Sequence, residues 1–333
     1  MKYRYFLGID IGKSSLTCCL RSGNQIILEQ SISNKPSSIK TFFKKLSKQI
    51  DLTVLLVCAE HTGIYSQHLL AVLEALGIDT WMEPGIQIKQ SSGFHRGKSD
   101  ESDARMISDY AYTNREKARL FQFPRPILIS LHALSTTRER LLKNKTSLLN
   151  ALKEQEAFLP PKTVQELKKA NKAAIQGILK SIQKVEQQMK ELITSDTYLK
   201  QIFKLITSIT GIGKVTAIKI IVHTGEFKKI TSAKKFACYA GVAPFSQRSG
   251  TTLKTKPRVH HFAYKKIKSL LHMCAMSNIA SKKEENKFKI YYEKKIQEGK
   301  HKMSAINALR NKLIQVIFGV VKNQQPFDPC YKY

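Results

Sequence analysis

Tyr5–Ser33, YFLGIDIGKSSLTCCLRSGNQIILEQSIS, holds three short apolar or alternating runs, FLGIDI, SLTCCL and IILEQSIS, separated by GKSS and RSGNQ. The separators carry turn chemistry and the runs carry strand chemistry, so the stretch predicts an antiparallel three-stranded meander. A helix is expected next, from Pro36 to about Gln49. Pro36 and Ser37 supply a start signal, and Phe42, Phe43 and Leu46 line one face. TVLLVCAE, residues 53–60, reads as a strand ending in an acid. Its unbroken apolar run implies cover on both faces, as in a central parallel strand. IYSQHLLAVLEALG, residues 64–77, is an amphipathic helix closed by Gly77, and IDTWME, residues 78–83, is a further strand stopped by Pro84.

The order β-β-β-α-β-α-β and then helix is that of a ribonuclease-H-like α/β core, a mixed sheet with helices on its faces. Beyond it, from about Arg125 to Ser195, the chain becomes helical and charged, with one break at Pro160 and Pro161. Ile175, Ile178, Ile182, Val185, Met189 and Leu192 recur at alternating three and four, a heptad seam. Leu131, Leu134, Leu141, Leu142, Leu148 and Leu149 make a looser stripe before the prolines. An antiparallel helical hairpin, a coiled coil within the chain or between two chains, is expected. After Tyr198, LITSITGIGKVTAIKII places a Gly211-Ile212-Gly213 turn between two helices. It is similar to a helix-hairpin-helix, in which backbone N–H groups and a helix N-terminus approach a DNA phosphate; a plain helix turn has the same letters. The expected domains are 1–124, 125–198 and 199–333, the last mainly α.

The chain of 333 residues carries 56 Lys plus Arg against 25 Asp plus Glu, a formal net charge of +31. Such an excess exceeds the needs of solubility and fits a polyanionic partner, nucleic acid first. No run of 18 apolar residues exists, and MKYRYFLGIDIGKSS is too short and too charged for a signal peptide. A soluble cytoplasmic, nucleoid-associated protein of a bacterial or archaeal cell, with no membrane partner, is expected. The cysteines Cys18, Cys19, Cys58, Cys238, Cys274 and Cys330 form no CxxC pair and read as buried, reduced thiols.

In so basic a chain the acids in GKSDESDARMISDYA, residues 97–111, stand out. Asp10 lies mid-strand among apolar neighbours, an expensive place for an unpartnered charge. Glu60 ends the next central strand, which the core would set beside the first. Asp100 and Asp103, three apart, share one side of a helix. Two Mg²⁺ ions about 4 Å apart, held by such carboxylates, are the arrangement of a two-metal phosphoryl-transfer site, and hard cations take oxygen ligands. Singly, each acid also suits a cap or a turn. Glu101 and Asp109 read as solvated helix residues, and Glu83 as a weaker fifth candidate.

GIDIGKSS, EHTGIY and KSDESDARMI resemble the three acidic motifs of the DEDD transposases, the insertion-sequence "one-ten" family, whose relatives include the Piv-type DNA invertases. TGIGKVTA, FACYAGVAPFSQRSG and a basic helical tail resemble that family's second half. The resemblance implies a RuvC-like first domain with Asp10, Glu60, Asp100 and Asp103 as metal-binding catalytic tetrad. It maps Ser249, in GVAPFSQRSGTTLK, onto a serine that forms a covalent phosphoserine link to DNA. Without the resemblance, Ser249 reads as a turn residue and Ser246 competes with it. The resemblance further implies an element-encoded guide RNA, element-end and target DNA as partners, and a homo-oligomer, dimer or tetramer, in which one protomer's acids serve another's serine.

Lys214, Arg248, Lys254, Lys256, Arg258, Lys265 and Lys266 are candidate nucleic-acid contacts, with a plain solvated basic face as the alternative. Where the family often carries a glycine before an apolar helix, TKPRVHHFAYKKIKSLLHMC has His260 and His261. Three other readings remain at this point: a RuvC-like junction nuclease with no covalent intermediate, a sugar kinase suggested by GIDIGKSS, and a nucleic-acid-binding protein with a decayed site. The kinase would need a second glycine-rich phosphate loop, and the only late glycine pair is in the GIG turn.

Overall fold

The expected meander forms β1 (Tyr5–Ile11), β2 (Ser15–Ser22) and β3 (Gln25–Ser33) in the computed structural model of the chain. This structure describes residues 2–91, 99–246, 248–249, 253–254, 257–259, 262–283 and 285–329, and at 248–249 and 253–254 the backbone alone. After α1 (Pro36–Leu46) come β4 (Leu55–Glu60), α2 (Gln67–Ala75), β5 (Thr80–Glu83), a short helix α3 (Gly85–Ser91), and α4 (Asp100–Thr113). The sheet order is β3-β2-β1-β4-β5, antiparallel from β3 to β1 and parallel from β1 to β5. That mixed order is ribonuclease-H-like.

Strand alternation divides the sheet's two covers. Leu7, Ile9, Ile11, Leu55, Val57 and Ala59 pack with Ile39, Phe42 and Phe43 of α1 and Leu69 and Leu73 of α2. Phe6, Leu56, Cys58 and Trp81 pack instead with Ile107, Tyr110 and Ala111 of α4. Gly8 sets how closely α4 approaches: a Cβ there would stand 2.3 Å from Ser108 N and 2.4 Å from Ala104 O.

The chain forms two compact units, Met1–Phe123 and Pro124–Tyr333. The second is largely helical. It opens with α5 (Pro126–Phe158) and α6 (Pro161–Ser195), each with proline in its first turn, where a missing N–H costs nothing. The two helices pack against each other. On α6 Ile182, Val185 and Met189 are buried, Ile175 and Ile178 half-buried, and Ile193 rather than Leu192 closes the stripe. Arg125 ties the start of α5 to Asp196, at 2.7 Å, and to the buried Glu226.

Then follow α7 (Thr197–Thr207), α8 (Lys214–Thr224), α9 (Ala233–Tyr239), α10 (Lys265–Ile279), α11 (Lys287–Gln297) and α12 (Lys302–Asn323). Leu309, Leu313 and Ile317 of α12 share a core with Ile202, Ile206, Ile220, Phe236 and Leu271. The turn between α7 and α8 needs glycine at 211 twice over. Its φ is +80°, and an added Cβ would meet Asn278 Nδ2 at 2.1 Å. That amide donates to Thr210 O at 3.0 Å and Cys274 O at 2.9 Å, so α10 fastens the turn.

Cys18, Cys19, Cys58 and Cys274 are buried thiols, but Cys238 is exposed, contrary to expectation. α9 has only one covered face, that of Phe236 and Ala237, and Cys238 falls outside it. Cys330 lies outside the described residues. Among the described residues no helix is long and apolar enough to cross a membrane.

Candidate active site: a carboxylate centre and a serine ribbon

Two strands and one helix bring the four acids to one end of one sheet face. Asp10 follows Phe6 and Gly8 on the side of β1 that faces α4, and Glu60 follows Leu56 and Cys58 on the same side of β4. The parallel register pairs Gly8 with Cys58 and Ile9 with Ala59, so the next step sets Asp10 beside Glu60. On α4 the buried stripe of Ala104, Ile107, Ser108 and Ala111 extends backward to Asp100, four residues before Ala104, and Asp103, four before Ile107. Ser99 starts the helix: its hydroxyl accepts from Ser102 N at 3.2 Å, while Ser102 Oγ accepts from Ser99 N at 3.0 Å. The bare approach at Gly8 therefore lays the first turn of α4 over Asp10. Gly85 makes similar room for Glu60, whose Oε1 would lie 2.1 Å from an added Cβ.

Asp10, Glu60 and Asp103 are half-buried and Asp100 is exposed. Burial raises the pKa of Asp10 above the ordinary carboxylate range; the charges of Asp100, Asp103 and Glu60 raise it further, against a backbone hydrogen bond from Ile11. The three other acids are thus close enough for Asp10 to feel them. None of the four forms an ion pair among the described residues. The competing acids are engaged elsewhere. Glu83 accepts from Trp81 Nε1 at 2.6 Å, Asp109 pairs with Arg21, and the exposed Glu101 is hydrogen-bonded at the helix start. Among the described residues no three His, Cys, Asp or Glu side chains already converge as a ligand set. In chemistry the donors suit a hard divalent cation, being carboxylate oxygens with unrelieved mutual repulsion.

Ser249 lies in a ribbon of two nested ladders. The outer pairs β6 (Pro244–Phe245) with β9 (Arg258–Val259); the inner pairs β7 (Arg248–Ser249) with β8 (Leu253–Lys254), Ser249 facing Leu253. Gly250, Lys256, His260 and His261 lie outside the described residues, as do the side chains of Arg248, Ser249 and Lys254. Ser246 is exposed just before the inner ladder. Of the candidate contacts, Lys214 on the first turn of α8, Arg258 on β9 and Lys265 on α10 are exposed. Lys266 is exposed but bound to Glu139 at 3.1 Å.

The base of the ribbon holds a group that sequence reasoning missed. Tyr239 and Tyr264 stack with centroids 5.7 Å apart, and Tyr264 N donates to Tyr239 O at 2.8 Å. Tyr239 Oη and His223 Nδ1 are hydrogen-bonded at 2.8 Å. Burial, then the neighbouring His132 and Lys219, push His223 down to about 4, and burial with Tyr264 pushes Tyr239 up to about 12. Both groups are therefore neutral near pH 7. Below them Lys219, 2% exposed, is neutralised by Glu139 at 2.6 Å. His223 and Lys219 sit in the apolar run IKIIVHT, which offers no local signal of partners elsewhere in the sequence.

A transposase family model bearing the DEDD name matches residues 7–159, and the model of the transposase IS116/IS110/IS902 family matches residues 203–293. The pilin gene-inverting proteins of Moraxella lacunata and Moraxella bovis are each 26% identical to this chain over 97% of both lengths. An uncharacterised 42 kDa protein of insertion element IS900 from Mycobacterium paratuberculosis is 21% identical, again over 97% of both. Among solved structures, T. thermophilus RuvC in complex with a Holliday junction substrate aligns with 36% of this chain and 100% of its own, at TM-score 0.29 and 13% identity. The two family models cover the acid-bearing sheet and the serine ribbon alike, and on that match the chain belongs to the IS116/IS110/IS902 family of transposases.

Proposed function

We propose that this transposase cuts and rejoins DNA through a divalent-metal centre on Asp10, Glu60, Asp100 and Asp103, with Ser249 as the nucleophile. The observation that carries the reading is the placement of four acids, from β1, β4 and α4, at one end of one sheet face, none of them in an ion pair among the described residues. Mg²⁺, two ions in the full site, is the cation we assign to them; bound there, it would neutralise the acids and polarise a phosphoryl oxygen. The carboxylates orient the scissile phosphate. Ser249 Oγ attacks phosphorus, loses its proton and forms a phosphoserine ester as a strand hydroxyl leaves; a hydroxyl of the recipient strand then attacks the ester and returns the serine. Bond energy is conserved, so rejoining needs no nucleotide cofactor.

Membership in the family supports the same reading, because the match at residues 203–293 includes the ribbon that carries Ser249. The Moraxella relatives are named for inverting a pilin gene, and the same class of DNA rearrangement suits this chain. We further assign an element-encoded guide RNA and a homo-oligomer, in keeping with the +31 charge and with acids and serine lying in different units. The test incubates the protein, its co-purifying RNA and DNA bearing the element's ends with Mg²⁺, and resolves the products on a denaturing gel. A protein–DNA adduct in the wild type that is lost in Ser249→Ala is the expected result. Free nicked DNA from both proteins would instead mean hydrolysis by the acids alone. Mixing Asp10→Ala with Ser249→Ala protein should restore the adduct if one copy's acids serve the other's serine.

A further inference from the structure

Arg310 in α12 is 6% exposed. Its Nη2 donates to His272 Nδ1 at 2.7 Å and its Nη1 to Asn307 Oδ1 at 3.4 Å, while its buried Nε has no partner among the described residues. Both acceptors are neutral. A ring nitrogen that accepts from a guanidinium carries no proton, so His272 is held as the tautomer whose Nε2–H is a free donor.

The molecule treats its other deeply buried cations differently. Lys219 is neutralised by Glu139 and Arg21 by Asp109. Among the described residues no carboxylate answers Arg310, and burial lowers its pKa with nothing opposing the change. A desolvated charge without a counter-charge is costly in an apo protein, and the cost is recovered when an anion arrives.

More positive charge surrounds it. Lys265, Lys268 and His272 occupy one face of α10, at spacings of three and four. Arg310 and then Lys265 act on Lys268, and Arg310 acts on His272, each lowering a pKa that burial already lowers. The cluster sits under the root of the serine ribbon: Asn307 Nδ2 donates to Val242 O at 2.8 Å, and a Cβ on Gly241 would lie 3.8 Å from Lys268 Cδ.

We propose that Lys265, Lys268, His272 and the buried Arg310 form an anion site that takes a phosphodiester group of a nucleic-acid strand at the root of the ribbon. The lysines and His272 Nε2–H meet the phosphate oxygens. Arg310 supplies charge from below and fixes the histidine tautomer. The proposal rests on the nucleic-acid-binding part of the function proposed above and on no cleavage step.

The experiment measures fluorescence anisotropy of a labelled short DNA duplex across a salt series, for wild type, Lys268→Gln and Arg310→Met, alongside thermal unfolding with and without inorganic phosphate. Each substitution should weaken binding by roughly fivefold to tenfold and lower the salt slope by about one. Ligand-free Arg310→Met should melt at the wild-type temperature or above, because an uncompensated buried charge has gone. Wild-type affinity in both variants overturns the proposal. A lower melting temperature in Arg310→Met with wild-type affinity in Lys268→Gln makes Arg310 a structural residue and overturns it too. If phosphate stabilises the wild type but not Arg310→Met while duplex affinity is equal in both, the ligand is a free anion and the nucleic-acid assignment falls. Absence of a protein–DNA adduct would count against recombination and leave this site untouched.

Discussion

The sheet unit and the helical unit hold their ionisable groups in opposite ways. In the first, Asp10, Glu60, Asp100 and Asp103 are gathered without an ion-pair partner among the described residues, and burial, then the charges of the other three, raise the pKa of Asp10. In the second, His223 and Tyr239 are desolvated and neutral, each the other's hydrogen-bond partner, and the buried Lys219 is paired with Glu139. A group of like charges is incomplete until a counter-charge binds, whereas a neutral buried pair is complete as folded. On the proposed function the first arrangement is the reacting centre; the second is a foundation. Acid should therefore act on the two units with opposite sign. The folded-state pKa of Asp10 is raised, so its contribution to stability is greatest at low pH and is lost as pH rises through that pKa. That of His223 is depressed, so its contribution is present above about 6.5 and lost as pH falls toward about 4.

The sharpest way to break the contrast is Asp10→Asn. If the acids form the metal centre, strand cleavage should fall on the order of 10³-fold or more. Without divalent ions, near neutral pH, the same variant should melt higher than the wild type, since one of four repelling charges has gone. Mg²⁺ should then stabilise the wild type and leave the variant nearly unmoved. The single tryptophan, Trp81, lies buried in the sheet unit, so its fluorescence follows that unit by itself. A variant that melts lower, with or without metal, would make Asp10 an ordinary structural acid.

Two glycines separate packing from ligand placement within the sheet unit. Gly8→Ala drives a methyl into the backbone of α4, so it should cost about 1–3 kcal/mol in urea unfolding followed at Trp81. Gly85→Ala first meets the tip of the Glu60 side chain, which can swing away. Its stability should change little, while Mg²⁺ affinity by calorimetry should weaken roughly tenfold, the usual cost of disturbing a ligand's support. Equal stability losses would mean that Glu60 is fixed by packing rather than free to serve as a ligand.

The sheet unit was legible because its signals are local. Period-two runs from Tyr5 to Ser33 and an apolar run ending in Glu60 declare strands, and KSDESDAR carries its own helix start. Sequence spacing also places Asp100 and Asp103 on one helical face, but not the bare approach at Gly8 that lays that face over Asp10. In the helical unit the informative contacts are distant in sequence. Tyr239 meets His223 across a loop, and Arg310 meets His272 from another helix, so nothing beside either residue in the sequence announces its partner. On α6 a strict heptad points to Leu192 at the end of the seam where Ile193 is the buried residue, because a heptad drifts against a helix of 3.6 residues per turn. Cys238 shows the same limit, since which face of a two-turn helix is covered depends on its neighbours.

The smallest effect tests the foundation itself. Tyr239→Phe removes one neutral hydrogen bond, leaves the stack on Tyr264, and should cost about 0.5–1.5 kcal/mol at neutral pH. His223→Gln keeps an amide able to accept from Tyr239 but cannot gain a proton. Far-UV circular dichroism, dominated by the helices of the second unit, should show wild-type stability falling as pH drops from about 6.5 toward about 4. Much of that slope should vanish in His223→Gln, because a proton taken up by the unfolded chain and refused by the folded one is no longer available. Trp81 fluorescence in the same titration should report no corresponding loss, since the raised pKa of Asp10 makes acid favour the folded sheet unit. Parallel decline of both signals in the wild type would mean that the two units do not carry opposite electrostatic strain.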